Sequence, residues 1–204
     1  MKLYGERNPA PHPRRVRIFI AEKGIDLPET RVKLLKGEHK SAEHVARNSL
    51  GQIPTLELDD GTFISESNSI CRYLEAQFPD KPLFGCTPKE IGLIDMWIRR
   101  IELRIYDQTL HYWRYGYPRA GAEQPFKAFG DAAKPRYEQE LKWLDSELAN
   151  CEFIAGDAYS YADIIGLTSI DFGTYVGWEI PAECKNVLAW HARVSARPSA
   201  EANS

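Results

Sequence analysis

A proline constrains the first half of this chain more than any other residue. Pro54 directly precedes an apolar, alternating run from Thr55 to Leu58. Proline cannot donate a hydrogen bond to a sheet, but it is tolerated at the first residue of a strand. Cis peptide bonds are almost confined to proline, and a cis Ile53–Pro54 bond would turn the backbone of Ile53 outward. We therefore expect the N–H and C=O groups of Ile53 to be open to an extended peptide ligand.

A helix start follows about a dozen residues later, at Glu66 and Ser67. The N–H groups in the first turn of a helix have no partner within the helix, and the positive end of the helix dipole favours anions. By itself this pair indicates no more than a helix cap. Beside the edge at Ile53 and Pro54, it predicts a carboxylate-binding point and thus a small acidic peptide as the ligand.

The composition limits the partners and the compartment. The 204 residues suit one large domain or two small ones, and 26 basic against 29 acidic residues give a net charge of −3. This balance gives no reason to expect nucleic acid or an anionic membrane as a partner. No apolar run approaches a membrane span, and no signal-peptide core follows the first residues. Four scattered cysteines without zinc-ligand spacing predict reduced thiols in a cytoplasmic protein that holds no metal.

Apolar periodicity in the first 79 residues predicts the order βαβ, then a short helix, a hairpin and a last helix. The hairpin signal is Asp59-Asp60-Gly61, which separates two alternating runs. Gly24 is the expected stop of the first helix. The predicted strands are Lys2–Tyr4, Thr30–Lys33, Thr55–Leu58 and Thr62–Ser65, and the predicted helices begin at Pro13, Ser41 and Glu66.

The remainder of the chain predicts an all-helical domain from residue 88 to residue 204, after a proline-rich linker at residues 80–87. Thr87-Pro88-Lys89-Glu90 forms a capping box with proline at the first helical position, and it opens a long helix that ends near Gly116. Ser160 and Asp163 cap a later helix, and we assign them a structural role. The tail after Arg197 is small and polar and is expected to fray.

The combination of Ile53-Pro54, Glu66-Ser67 and Ser160-Tyr161-Ala162-Asp163 is specific, and with it the chain resembles the soluble, cytosolic glutathione transferase superfamily of bacterial type. The pattern is closest to the theta, phi and beta classes, and the resemblance covers nearly the whole chain. It implies a thioredoxin-like α/β domain at residues 1–79 that binds glutathione as a co-substrate. It also implies an all-α helical domain that forms a pocket for a small apolar electrophile, and a homodimer active in detoxification.

The resemblance also assigns the three ends of glutathione to residues of this chain. Ser67 matches the residue that binds the γ-glutamyl carboxylate through its hydroxyl and N–H, and Glu66 matches the partner of the ammonium group. Ile53, next to Pro54, matches the residue that pairs with the cysteinyl backbone. Positions that hold the glycine carboxylate in several classes are matched by His39, Lys40 and Gln52. A solvated surface loop is an equal alternative for the first two of these.

Catalysis requires a donor that lowers the pKa of the glutathione thiol, and here the chain departs from the family pattern. A free cysteine thiol has a pKa near 8.5. The family places a tyrosine, serine or cysteine between the first strand and the first helix, whereas this chain has Pro11 where many classes have serine or cysteine. Three other donors lie nearby, and we rank them in the order Asn8, Tyr4 and His12.

An aromatic cluster marks the end of the predicted long helix. Tyr106, Tyr112, Trp113 and Tyr115 fall within ten residues, with Tyr117 just beyond. Aromatic side chains of this kind also close helical cores, so core packing is the alternative. We expect several of them to line an apolar electrophile pocket between the domains.

Two other functions remain open on sequence grounds. A protein of this fold can bind glutathione without catalysis and act in regulation or stress sensing, because fold does not settle function. The absence of a loop hydroxyl supports this alternative. A dedicated glutathione-dependent isomerase, dehalogenase or lyase is the other alternative, although many such enzymes would show the cysteine or serine that this chain lacks.

Overall fold

A four-stranded mixed sheet organises the first part of the computed structural model, which describes residues 1–7, 10–118 and 126–202. The strand order is β2-β1-β3-β4, with β1 parallel to β2 and the two other pairs antiparallel. The strands are β1 (Lys2–Gly5), β2 (Glu29–Arg31), β3 (Thr55–Glu57) and β4 (Phe63–Ser65), and the helices are α1 (Pro11–Lys23), α2 (Ala42–Arg47) and α3 (Ser67–Gln77). This order confirms the predicted thioredoxin-like βαβ-α-ββα arrangement.

The first helix shows how local chemistry sets these bounds. It begins at Pro11, two residues before the predicted start, because proline is well suited to the first position of a helix. It ends at Gly24, whose left-handed conformation (φ 68°) lets its N–H reach the carbonyls of Ile20 and Ala21. Its apolar face is fully buried and packs in the core of this unit with residues from β3 and α3. The core includes Val16, Ile18, Phe19, Leu56, Ile70 and Leu74.

The chain divides into two compact units. One contains Met1–Leu83 and the C-terminal segment that begins at Arg197, and the other is Phe84–Ala196. The boundary at Leu83 falls within the predicted linker. The placement of the C-terminal segment in the first unit differs from the sequence-based domain limits, which gave it to the helical domain.

The second unit is all-helical in the residues described, as predicted. The predicted capping box at Thr87 and Glu90 is confirmed, with both reciprocal hydrogen bonds present. Beyond it, the expected single long helix is interrupted by two π-helical segments, Glu102–Tyr106 and Tyr112–Gly116. The α-helices are α4 (Pro88–Ile101), α5 (Asp107–His111), α6 (Lys127–Asp131), α7 (Ala133–Glu147), α8 (Tyr161–Tyr175) and α9 (Lys185–Ser195). Of the helices in the described ranges, none combines the length and apolar character that a membrane crossing requires.

A buried carboxylate organises the centre of the second unit. Asp163 has no exposed surface, and it accepts hydrogen bonds from the N–H of Ser160 (2.9 Å), the N–H of Ile154 (2.9 Å) and the indole of Trp190 (2.8 Å). Burial raises the pKa of this carboxyl, and the hydrogen bonds partly offset that effect. The predicted cap is therefore confirmed, and its carboxylate also fixes a loop and α9.

Residues 197–202 pack against α1, so the expectation that the tail frays is wrong for this described part. Arg197 makes two hydrogen bonds to the carboxylate of Glu22, at 2.7 and 2.8 Å, and the hydroxyl of Ser199 donates to the same carboxylate. A short 3₁₀ helix at Pro198–Glu201 follows, with Ser199 and Ala200 buried. The small, polar composition of the tail does not indicate these hydrogen bonds, because their partner, Glu22, lies far away in sequence.

We expect the Glu22 contact to stabilise the fold in a pH-dependent way. Burial alone would raise the pKa of Glu22, but the hydrogen bonds from Arg197 and Ser199 hold it below its ordinary value. A lowered pKa means that the stabilisation is complete above about pH 5 and is lost as pH falls through the folded-state pKa. Glu22→Gln is expected to cost about 1 kcal/mol at pH 7, a small value because Arg197 is partly exposed to solvent.

Urea unfolding of both proteins at pH 7 and pH 4 measures this difference. The matched control is Glu43→Gln, which removes a mostly exposed carboxylate from its ion pair with Arg47 and is expected to change stability little at either pH. A cost of Glu22→Gln that stayed constant between the two pH values would show that the carboxylate charge is not its source.

Candidate functional site

A small polar cavity of about 40 Å³ lies in the first unit, where the start of β3 meets the start of α3. It brings together most of the sequence-predicted binding residues and one of the predicted thiol donors. Asn48, which the sequence did not single out, also contributes to the wall. The lining residues are His12, Asn48, Gln52, Ile53, Pro54, Glu66 and Ser67.

The loop that leads into β3 forms one wall of the cavity. The Ile53–Pro54 peptide bond is cis, as the sequence predicted. Across the described parts of the chain, no group hydrogen-bonds to the N–H or the C=O of Ile53. This backbone therefore offers one donor and one acceptor to an extended ligand, as expected from the sequence.

The opposite wall is the first turn of α3. Glu66 precedes the helix with a positive φ of 67° and ψ of 119°, a conformation that a residue with a side chain rarely adopts, and its carboxylate is exposed. Such conformations cost about 1–3 kcal/mol and cluster at ligand-binding positions. Ser67, the first helical residue, is 2% exposed. The N–H groups of this turn lack partners within the helix, so they favour an anion.

His12 ties α1 to this helix start. Its Nδ1 lies 3.0 Å from the Ser67 hydroxyl and 3.3 Å from a guanidinium nitrogen of Arg15, which is fully buried. A guanidinium can only donate, so Nδ1 accepts and the ring proton is on Nε2. The Ser67 hydroxyl then donates to the same Nδ1. Its oxygen lone pairs and backbone N–H are the groups it can offer to a ligand.

The other two predicted thiol donors are not among the residues that line the cavity. Tyr4 is 4% exposed in β1, and its hydroxyl donates to the Glu57 carboxylate across the sheet at 2.6 Å. Its ring lies 4.4 Å from the guanidinium of Arg47. Tyr4 is therefore engaged in a sheet contact, which disfavours it as a thiol donor. Asn8, ranked first from the sequence, lies outside the described residues.

His39 and Lys40 pack close to the cavity loop without lining the cavity. The Lys40 ammonium donates to the carbonyl of Leu50 at 3.0 Å. Gly51 (φ 57°) leaves no room for a side chain, because a Cβ there would lie 2.8 Å from the carbonyl oxygen of His39. Burial, with Lys40 and His44 nearby, lowers the pKa of His39. His39 is thus neutral at neutral pH, and Lys40 supplies the positive charge beside Gln52.

The predicted electrophile residues form ring contacts within the second unit. Tyr106 is 6% exposed and packs against Phe172, so core packing accounts for it. The other three are partly exposed. Their ring contacts are Tyr112 with Trp178 at 4.7 Å, Trp113 with Phe172 and Tyr175 at 5.8 Å each, and Tyr115 with Phe129 at 5.6 Å.

Sequence reasoning missed several buried polar residues that support the cavity. Arg15 contacts His12, while Asn48, His44 and Thr55 contact the carbonyl of Gln52. One sequence feature could have indicated these residues. His44 and Asn48 lie four residues apart, so their side chains face the same side of α2 and its C-terminal end. Arg15 is a charged residue in the first helix, where a solvated position is the ordinary expectation, but it has no exposed surface.

Comparisons with known proteins support one family across both units. The model of the glutathione S-transferase N-terminal domain matches residues 10–77, and that of the C-terminal domain matches residues 111–198. Glutathione S-transferase 2 of Saccharomyces cerevisiae is 37% identical over 93% of this chain and 83% of its own length. Human glutathione S-transferase theta-2 is 31% identical over 92% of this chain and 78% of its own length. The crystal structure of Gtt2 from Saccharomyces cerevisiae superposes with a TM-score of 0.91, at 36% identity and 98% coverage of both chains.

We expect the backbone conformation of Glu66 to be strained. Glu66→Ala removes the carboxylate and keeps the cost of a Cβ at positive φ, whereas Glu66→Gly removes both. The glycine variant is therefore expected to be more stable than the alanine variant by about 1 kcal/mol, since glycine adopts positive φ freely but is more flexible when unfolded. Urea unfolding of the two variants measures the difference, and an alanine variant as stable as the glycine variant would contradict it.

Proposed function

This chain belongs to the glutathione S-transferase family, and on that premise we propose that it binds glutathione at the cavity of its first unit and conjugates it to an apolar electrophile. The thiol loses its proton, and the thiolate sulfur forms a bond to carbon as it displaces a leaving group or adds to a double bond of the electrophile. The observation that carries this proposal is the meeting of the Ile53 backbone with the first turn of α3 at one polar cavity. A γ-glutamyl peptide needs both a carboxylate site and a backbone edge, and the two lie side by side here.

In this proposal the γ-glutamyl end enters the cavity. Its carboxylate accepts from the N–H of Ser67, and the positive end of the α3 dipole adds to the attraction. Its ammonium pairs with the exposed carboxylate of Glu66. The cavity is too small for a whole tripeptide, so the cysteinyl residue lies along Ile53 outside it. The glycine carboxylate then lies towards Gln52 and the Lys40 ammonium.

His12 is the described residue best placed to help activate the thiol. It lines the cavity as the second residue of α1, within the first turn and therefore at the positive end of that helix dipole. An imidazole N–H at this wall can donate a hydrogen bond to a thiolate. Asn8 remains the alternative donor. We rank Tyr4 below both, because its hydroxyl donates to Glu57.

The electrophile site and the homodimer are proposed from membership of the family and from exposed apolar side chains. The electrophile is expected at the partly exposed rings of Tyr112, Trp113 and Tyr115, whose apolar faces suit an aromatic or alkyl compound. A homodimer is expected because α4 and the π-segment after it carry exposed apolar side chains. These are Ile91, Leu93 and Leu103, exposed at 43%, 40% and 64%.

Glutathione affinity tests the binding proposal. A variant with both Glu66→Ala and Ser67→Ala loses the carboxylate that pairs with the ammonium and the hydroxyl oxygen whose lone pairs can accept from it, and we expect binding to weaken by about 2–4 kcal/mol. Titration calorimetry measures this loss, with Ser69→Ala, an exposed serine on the same helix, as the matched control. Equal affinity in the double variant and the wild-type protein would disprove the assignment.

The absorbance of the bound thiolate, followed as a function of pH, tests the choice of donor. Because one hydrogen bond contributes about 1 kcal/mol, His12→Ala is expected to raise the pH of thiolate formation by about one unit. Tyr4→Phe is expected to leave it unchanged. A shift in Asn8→Ala without one in His12→Ala would assign the role to Asn8 instead. The absence of thiolate in the wild-type protein at neutral pH would favour a glutathione-binding protein without catalysis.

A further inference from the structure

One backbone oxygen beside the cavity receives three side-chain donors. The carbonyl of Gln52 accepts from Nε2 of His44 at 2.8 Å, from the amide of Asn48 at 2.9 Å and, more weakly, from the hydroxyl of Thr55 at 3.4 Å. A carbonyl oxygen has two lone pairs, so this one is saturated. The donors come from α2, from its C-terminal cap and from β3, and this places the oxygen between three separate elements.

All three donor residues are buried. His44 is 1% exposed, Asn48 is 6% exposed and Thr55 has no exposed surface. A carbonyl accepts and never donates, so Nε2 of His44 carries the proton. In the described part of the chain, Nδ1 of His44 has no hydrogen-bond partner although it is buried. The His44 ring therefore donates from Nε2, and among the described residues the carbonyl of Gln52 is the one hydrogen-bond partner of this side chain.

Asn48 also shapes the turn that leads to this carbonyl. Its side-chain oxygen accepts from the N–H of Leu50 at 3.1 Å, and its backbone carbonyl accepts from the N–H of Gly51 at 2.7 Å. One residue thus fixes the turn from Asn48 to Gln52 at both ends.

Peptide geometry links this anchor to the ligand side. In a trans peptide unit the C=O and the N–H point in opposite directions. The carbonyl of Gln52 and the N–H of Ile53 belong to one such unit, since the cis bond is the next one, between Ile53 and Pro54. Three donors that hold the carbonyl towards α2 and β3 therefore turn the N–H of Ile53 away from them. That N–H makes no hydrogen bond to any group in the described ranges.

We propose that His44 and Asn48, with Thr55 as a weaker third, are positioning residues that aim the N–H of Ile53 at the cysteinyl carbonyl of glutathione. The inference rests on the proposed function, because it concerns how the same site binds the cysteinyl residue of glutathione. A free loop would have to be ordered at the moment of binding, at a cost in affinity. The buried donors order this peptide unit in advance.

The test is glutathione binding by ¹⁵N-labelled protein, followed by calorimetry and by the amide signal of Ile53. In the wild-type protein, saturating glutathione is expected to move the Ile53 amide proton downfield and to slow its exchange with solvent about tenfold or more. His44→Met is expected to weaken binding about tenfold and to abolish the protection at Ile53. His44→Gln, whose amide nitrogen replaces Nε2, is expected to restore both.

Asn48→Asp and Thr55→Val keep the test decisive if His44→Met does not fold. Asn48→Asp keeps the acceptor for Leu50 but points a second acceptor at the Gln52 carbonyl, so we expect a loss of at least about tenfold in affinity. Thr55→Val removes the longest contact, and we expect about a twofold loss. Glu43→Gln, on the exposed face of α2, is the control and is expected to change neither signal.

The outcomes separate this inference from the proposed function. If the wild-type protein does not bind glutathione, the proposed function fails. If it binds, and the amides of Glu66 and Ser67 respond while Ile53 does not, the function stands and the positioning inference fails. Variants that melt earlier but keep full protection of Ile53 at saturating glutathione would also overturn the inference, because they would show a purely structural role.

Discussion

The register of one hairpin holds the candidate site together. Thr55 in β3 is paired with Ser65 in β4, so the residues just outside the hairpin, Pro54 and Glu66, are neighbours although they are 12 positions apart in sequence. A slip of one residue would turn every side chain of the hairpin to the opposite face and would separate the two walls of the cavity. The tight turn fixes this register, since Asp60 accepts the N–H of Thr62 at 2.9 Å and Gly61 adopts a positive φ.

Hydrogen bonds made by buried polar side chains also hold the walls of the cavity in place, in addition to the hairpin register. A buried donor or acceptor without a partner is costly, so most buried polar groups in a fold are paired. In this unit, several such groups find their partners in the residues that surround the cavity, as with Arg15 at His12 and His44 at the Gln52 carbonyl. The requirement that stabilises the fold thus also orders the loop and helix start before any ligand arrives, and binding does not have to supply that order.

The sequence predicted those features whose signal lies within a few residues. The cis proline, the two capping boxes and the order of strands and helices are of this kind, because turn, cap and periodicity signals are local. The contact of His12 with Ser67 was not predictable, since it joins residues 55 positions apart. The two π-helical segments were not predicted, because each adds one residue to a helical turn and no characteristic residue type marks such an insertion. The ordered tail was missed because a polar composition does not reveal a buried partner such as Glu22.

The pairing of Glu22 with Arg197 also has a consequence for how the chain is made. The two residues are separated by 175 positions, so α1 leaves the ribosome long before its partner exists. Domains generally begin to fold from the N-terminal side during synthesis. A first unit that folds at that stage therefore lacks the Arg197 and Ser199 contacts to α1 until the helical unit has been translated. The hydrogen bonds from Arg197 and Ser199 to Glu22 can form only after α9 has been synthesised.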